Sequence, residues 1–396
     1  MAKCMERSVP VMGRPTFYEF FAGGGMARAG LQPDWQCLFA NDIDPKKAKA
    51  YAANWGADEF RLGDIHDLTP TDMPGRADLA WASFPCQDLS LAGNGRGLDG
   101  ARSGAFWGFH DVLHALKVRD RAPTIAVLEN VGGAVTSNDG RDFETVCRAL
   151  KSLGYVFGGL MLDGVHFVPQ SRPRLFIVAI QVHSAQLADA FVGSTSPFWT
   201  SDALQRTFNR LRPDLRKSWR WWQLPPPPRR NTALSDLIIE DPTDVQWHAY
   251  EETQRILSMM SEINSEKLEE ARKEGRRVVG TIYRRTRRDD RGRKVQRAEV
   301  RFDSIAGCLR TPLGGSSRQT IVVVEGARVR TRLLSAREAA RLMGLSDSYK
   351  LPARYNDAYH LVGDGLVVPA VRHLSQYLLL PIMRAFTPSS LLVAAE

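Results

Sequence analysis

The sequence predicts an α/β fold, a doubly wound and mostly parallel sheet joined to a smaller second domain. Three observations predict it. Short apolar runs alternate with helical stretches up to about residue 185, the order from which parallel sheets are built. The first run, Thr16–Phe21, passes directly into Ala22-Gly-Gly-Gly-Met26. Such a strand, glycine turn and helix let the backbone approach a ligand closely and offer free helix N–H groups. Finally, the alternation stops near Ala185 and gives way to proline-rich and then strongly basic sequence. The expected domains are therefore 1–185, then 186–330, with 331–396 returning to the first.

Composition sets the bounds. A chain of 396 residues, 43% hydrophobic and 24% charged, can bury a large core and has the make-up of a globular protein. No apolar run approaches the roughly 20 residues of a membrane helix. The N-terminus lacks the apolar core of a signal peptide. Five cysteines (Cys4, Cys37, Cys86, Cys147 and Cys308) are scattered without a CxxC pair. That spacing argues against a disulfide framework or a zinc site and for a reducing compartment. The formal net charge is +9, which favours a polyanionic partner.

Taken in order, the glycine turn leads to a short helix, Ala27–Leu31. The turn is not GxGxxG, and no Lys-Ser/Thr follows it, so it is not a P-loop. Trp35–Ala40 reads as a second strand, closed by Asn41-Asp-Ile-Asp44, and Pro45 suits the first turn of a helix over 46–54. A carboxylate about 20 residues after the glycine turn is where a ribose diol is held. Asp42 and Asp44 are also candidate helix N-caps. Gly63-Asp64-Ile65 forms a third turn that could reach an exocyclic amine.

Ala77–Ala82 reads as a buried strand that stops at Pro85, and Cys86 follows. A thiol where a strand gives way to a loop has a fixed backbone behind it and open space in front, as a nucleophile requires. The alternative is a small buried hydrophobe. Five glycines then fall within Ala92–Gly104, with Arg96 and Arg102 among them. They suit a lid with cationic handles or a plain surface loop. A helix over 106–116 precedes the strand Thr124–Leu128. That strand ends in Glu129-Asn130-Val131, at the sheet edge where Cys86 also emerges.

Two further strands, Tyr155–Leu162 and Leu175–Ile180, flank Val168-Pro-Gln-Ser-Arg-Pro-Arg174. Arg172 and Arg174, stiffened by the proline between them, suit a planar polar ligand or a phosphate; a solvated turn is the alternative. Beyond 185, Pro225–Pro228 is a stiff spacer and Trp219, Trp221 and Trp222 lie among basic residues. One amphipathic helix is expected over 251–273. Residues 272–301 hold 13 Lys/Arg against 4 Asp/Glu, a solvated hairpin or a surface for nucleic acid. Thr311–Thr320 reads as a polar turn. Ser335–Met343 opens with a capping-box pair, Ser335 and Glu338. His360–Gly365 leads into a last helix over 366–380.

In this order the pieces resemble the DNA (cytosine-5) methyltransferase family. Phe21-Ala-Gly23 is similar to the family's first motif and Phe84-Pro-Cys-Gln87 to its nucleophile motif. Glu129-Asn-Val131 and Gln170-Ser-Arg-Pro-Arg174 resemble two further catalytic motifs. Arg337–Gly344 and Gly363–Val371 resemble the two C-terminal ones. The resemblance covers nearly the whole chain outside about 185–305. This chain departs from the family's usual pattern at Met26, where FAGxGG ends in Gly, at Asp42 and Ile43, and at Asp364, where the family commonly has Asn.

The resemblance implies a class I, Rossmann-like methyltransferase with a target-recognition domain over 186–330. It implies S-adenosyl-L-methionine as methyl donor, S-adenosyl-L-homocysteine as product, and no metal. Cys86 is then the nucleophile that adds to C6 of a cytosine swung out of the duplex. Glu129 donates at N3, Arg174 binds O2, and Arg172 holds the cluster and lowers the thiol pKa. Phe21, Ala22, Gly23, Gly25, Asp42, Ile43, Asp64, Ile65, Pro85 and Asp364 line the cofactor site. Ser90, Arg96, Arg102, Arg310 and Arg318 meet DNA. Double-stranded DNA is the implied partner of a monomeric, cytoplasmic, nucleoid-associated protein of bacterial or phage type. A separately acting restriction endonuclease is compatible with it, and no membrane is involved. Two other readings share part of the pattern: an RNA cytosine-5 methyltransferase, and a catalytically silent DNA-binding regulator.

Overall fold

The computed structural model describes residues 13–85, 104–184, 189–288, 291–310 and 318–386. Seven strands form the larger sheet: β1 (Thr16–Phe20), β2 (Gln36–Asp42), β3 (Phe60–Leu62), β4 (Leu79–Ala82), β5 (Ile125–Val131), β6 (Tyr155–Asp163) and β7 (Pro173–Gln181). Their order is β3-β2-β1-β4-β5-β7-β6. β1 to β5 pair in parallel, whereas β7 runs antiparallel to both β5 and β6. Central parallel strands are covered on both faces and read as continuous apolar runs; all four residues of β4 are buried.

The two faces of β1 feed two cores. Phe17 packs with Met26, Leu31 and Trp35, while Tyr18 and Phe20 pack with Phe106, Phe109 and Phe143. Glu19 alternates with them, and so lies on the Phe17 face. Helices α1 (Met26–Leu31) and α2 (Pro45–Trp55) follow β1 and β2, and α3 (Gly104–Val118) and α4 (Arg141–Ser152) cover the other side.

The segment after β7, expected to open the second domain, packs on the first instead. Trp219 pairs with Phe157 at the side of β6, and the Trp222 indole donates to the Val178 carbonyl at 3.0 Å. Gly158 permits this approach, because a Cβ there would lie 1.8 Å from the Arg220 carbonyl oxygen. The first layer therefore extends past 185 to about Leu224.

The second sheet is antiparallel, built from β8 (Arg277–Arg288), β9 (Lys294–Arg301), β10 (Thr320–Glu325) and β11 (Arg328–Leu333) in the order β11-β10-β8-β9. β8 is buried at its base, and its arginine-rich end is exposed. The single helix expected over 251–273 is two helices, Tyr250–Leu257 and Glu262–Lys273. Between them Met260 is buried against the small sheet, and the Met259 carbonyl accepts from the Ala298 N–H. That bond to β9 replaces the helical one.

A helix over Tyr355–Asp364, not expected from the sequence, precedes the last helical run from Val368 to Ala385. Residues 355–385 are apolar enough in length and composition for a membrane span, yet 67% of the most apolar window is buried. The run lies on α1, where the Trp35 indole donates to the Ser375 hydroxyl at 2.8 Å. Packing accounts for its apolarity.

Candidate active site

A cleft of about 2120 Å3 runs along the C-terminal ends of β1, β2, β4 and β5 and on to the base of β8 and β9. Open α/β sheets collect their ligands at this edge. One half is shaped by the glycine turn and the end of β2. The Asp42 carboxylate is buried, and it accepts from the Gly23 N–H at 2.8 Å and the Asp44 N–H at 2.9 Å. Asp44 caps α2 instead, accepting from Lys46 at 2.7 Å and Lys47 at 3.4 Å. The two aspartates thus divide the roles that the sequence left open. Ile43, between them, is 63% exposed on the cleft wall.

Phe21 adopts a left-handed backbone (φ 57°) and lines the cleft with Ala22 and Gly23. A non-glycine residue held there stores strain, which concentrates at ligand clamps. Gly25 belongs elsewhere. It is the N-cap of α1 at φ 77°, it does not line the cleft, and a Cβ there would sit 2.2 Å from the Trp55 indole nitrogen. Its lack of a side chain lets the Trp55 indole pack against the turn. Asp64 and Ile65 line the cleft, with Asp64 accepting from the His66 N–H at 3.0 Å. Asp364 reaches the same wall and pairs with Lys47 at 3.0 Å.

The other half is centred on Glu129. It is buried at the end of β5 and pairs with Arg174 Nε on β7 at 3.2 Å. The antiparallel register sets Arg174 opposite Val131 and brings the two side chains together. Burial raises the Glu129 carboxyl above the ordinary range, against the pull of Arg174, then Arg172, and a hydrogen bond from Ser83. Ser83 in turn accepts from the Trp81 indole at 3.1 Å. Asn130 ties the ends of β5 and β4, donating to the Phe84 carbonyl at 3.4 Å. Pro85 lines the cleft where β4 has ended. Cys86, Ser90, Arg96 and Arg102 lie outside the described residues.

Arg172 lines the cleft and also reaches behind it. It is buried and donates to the carbonyls of Leu309 (2.9 Å), Gly363 (2.8 Å) and Gly365 (2.7 Å). It therefore buckles three chain segments behind the cleft. The thiol it reaches is that of Cys308, at 3.4 Å. Burial would raise that thiol, but Arg172, Arg174 and Arg310 outweigh it, and its pKa is lowered. Arg310 lines the cleft. Arg318 does not: it donates to Asn356 at 2.6 Å and lies over the Tyr355 ring. In this structure it braces that helix.

Four cleft residues escaped the sequence reading. Glu19 is 1% exposed at the cleft wall, with Oε1 accepting from the Arg28 N–H at 3.3 Å and Oε2 without a partner. Burial, above all, pushes its carboxyl up to about 8. A single carboxylate inside an aromatic strand was the available signal. Ser83, the first hydroxyl after an apolar strand, gave a fainter one. Lys47 and Cys308 gave none, since each is brought to the cleft by tertiary packing.

A model of the C-5 cytosine-specific DNA methylase family matches residues 15–379. The chain belongs to this family. Among relatives of this C-5 cytosine-specific DNA methylase, the type II methyltransferase M.HhaI of Haemophilus parahaemolyticus is 23% identical over 361 residues, 91% of this chain and 92% of that one. M.BanI of Aneurinibacillus aneurinilyticus is 36% identical over 172 residues, and the match spans 41% of this chain but 38% of M.BanI. The crystal structure of the S. pombe Dnmt2 methyltransferase superposes with a TM-score of 0.54 at 19% identity, covering 93% of this chain and 99% of that one. That likeness shows the shared fold.

Proposed function

We propose that this protein transfers a methyl group from S-adenosyl-L-methionine to C5 of a cytosine in double-stranded DNA, through a covalent adduct with Cys86. Family membership supports the reaction class. The observation that carries the site assignment is Glu129, buried with a raised carboxyl pKa and ion-paired with Arg174 on the cleft wall.

The cradle fits the donor. A sulfonium ligand with an ammonium group suits the unpartnered Glu19 oxygen and the fixed carboxylate of Asp42. A flat adenine suits the exposed Ile43 side chain, with Asp64 at hand for its amine. When bound, the donor supplies an electrophilic methyl group.

C5 of cytosine is a weak nucleophile until a group adds at C6. The Cys86 thiolate adds there, forming a carbon–sulfur bond and pushing an electron pair toward N3 and O2. Glu129 gives its proton to N3, and Arg174 neutralises the charge at O2. The resulting enamine carries the electron density at C5. After methylation the N3 proton returns to the Glu129 carboxylate, water takes the C5 proton, and the electron pair of that C–H bond re-forms the C5–C6 double bond as the C6–S bond breaks and releases the thiolate. Because C6 is stacked inside a duplex, the nucleotide must first be flipped out, at a cost of a few kcal/mol. The basic, exposed end of β8 lies beside the cleft and supports a polyanionic partner.

DNA containing 5-fluorocytosine tests the proposal, since fluorine cannot leave as a cation. With S-adenosyl-L-methionine present, a denaturation-resistant adduct should form on DNA and be absent on RNA of the same sequence. Cys86→Ala should abolish it. An adduct that survives the substitution, or none on any DNA, overturns the mechanism.

A further inference from the structure

The cofactor half of the cleft holds an ion pair that the mechanism leaves unused. Lys47, in the first turn of α2, places its ammonium 3.0 Å from the carboxylate of Asp364. Asp364 ends the helix that begins at Tyr355. Both side chains line the cleft, beside Asp42 and Ile43.

Docking of α2 on this part of the chain has other contacts besides the pair. Lys46 and Asp357 already join the two helices at 2.8 Å, and the Asn54 amide ties α2 to the Lys350 carbonyl at 2.9 Å and the Lys350 N–H at 2.8 Å. The Lys47–Asp364 pair therefore acts on whatever occupies the cleft. Asp364, Asp42 and Asp44 face Lys47. Burial works against its charge, but those carboxylates outweigh it and raise the ammonium pKa.

The two ligands of the proposed reaction differ by one charge. The donor carries a sulfonium, whereas its product carries a neutral thioether. Charges in a partly enclosed cleft interact more strongly than in bulk water. Resting on the cofactor reading, we propose that the Lys47–Asp364 pair sets the discrimination between S-adenosyl-L-methionine and S-adenosyl-L-homocysteine. With both charges present, the pair adds no net charge to that wall, which already carries Asp42 and Asp44. Removing the ammonium exposes Asp364 and favours the sulfonium; removing the carboxylate exposes Lys47 and favours the uncharged product. The pair thereby governs how strongly product competes with donor.

Calorimetric titration of the full chain with each ligand gives the ratio of product Kd to donor Kd. Lys47→Met should raise this ratio about three- to tenfold, and Asp364→Asn should lower it by a similar factor, typical of coupling between neighbouring charges. The double variant should return within about twofold of wild type, because the net charge of the wall is again that of the wild type. Asp364→Glu and Lys47→Arg, which keep the charges, should preserve the ratio and serve if the neutral variants fold poorly. Lys46→Met should leave it unchanged. Single variants that shift the ratio in the same direction, or weaken both ligands equally, would show a docking contact and overturn the proposal. A wild-type protein that binds neither ligand would instead remove the cofactor reading beneath it.

Discussion

Two buried arginine–glutamate pairs in this molecule have opposite characters. Arg332 and Glu338 are wholly buried and meet through two parallel bonds, of 2.6 and 2.8 Å. Glu338 also accepts from the N–H groups of Ser335 (2.8 Å) and Ile239 (2.7 Å), so both its oxygens are occupied twice. Arg174 and Glu129 share one ion-pair contact of 3.2 Å, and their side chains retain 15% and 9% exposure toward the cleft. The residue types are the same, and their hydrogen-bonding capacity decides the rest. A carboxylate with four donors has nothing left to give a ligand; one with an arginine and a serine does.

Breaking the open pair should have the largest effect, and on rate. Glu129→Gln keeps the shape of the side chain but removes the acidic proton. Single-turnover methyl transfer should fall about 10²- to 10⁴-fold, the usual contribution of a positioned acid, with thermal unfolding nearly unchanged. The sign of the pH dependence follows from burial, which raises the Glu129 carboxyl pKa despite Arg174 and Arg172. The proton is retained to higher pH than on an ordinary glutamate. The rate should therefore decline as pH rises through that raised pKa, and Glu129→Gln should lose this limb. A wild-type rate that climbs through the same range would remove the acid role.

Breaking the closed pair should act on stability. Arg332→Met leaves Glu338 buried without its counter-charge, which typically costs about 3–5 kcal/mol. Urea unfolding should show it as a lower midpoint, while the folded fraction methylates DNA at the wild-type rate. Arg332→Met combined with Glu338→Leu should recover much of the loss, because no uncompensated charge remains. A rate defect in the single variant would mean that the closed pair also serves the chemistry, and the contrast would fail.

The same contrast explains what the sequence could disclose. The parallel strands were legible because burial on both faces leaves an apolar run, as in Leu79–Ala82. The sheet edge at Glu129 followed, since a strand's last polar residue has only that edge to occupy. Local spacing alone could not separate Asp42 from Asp44, because both fit an N-cap; both line the cleft, and the fold turns the Asp42 carboxylate to Gly23 while Asp44 caps α2. The partners of Arg172 were hidden for a similar reason. Its carbonyl partners lie at 309, 363 and 365, and nothing local announces them. The break at Met260 was hidden by a continuous amphipathic pattern that hydrogen bonding to β9 overrides.

Ser335→Ala sharpens the comparison most finely, because it removes one bond from the edge of the closed pair. The Ser335 hydroxyl accepts from the Glu338 N–H at 3.1 Å, and the Glu338 carboxylate answers to the Ser335 N–H. Alanine loses the first of these bonds and keeps the second, since its backbone N–H is unchanged. Arg332 and the Ile239 N–H continue to hold the carboxylate. The cost should be that of a lost N-cap, about 1 kcal/mol, well below that of Arg332→Met, with methyl transfer unaltered. Urea midpoints of the two variants, measured side by side, decide the matter. If alanine costs as much as Arg332→Met, the cap and the ion pair form a single cooperative unit, and counting the donors on each carboxylate no longer separates a structural pair from a reactive one.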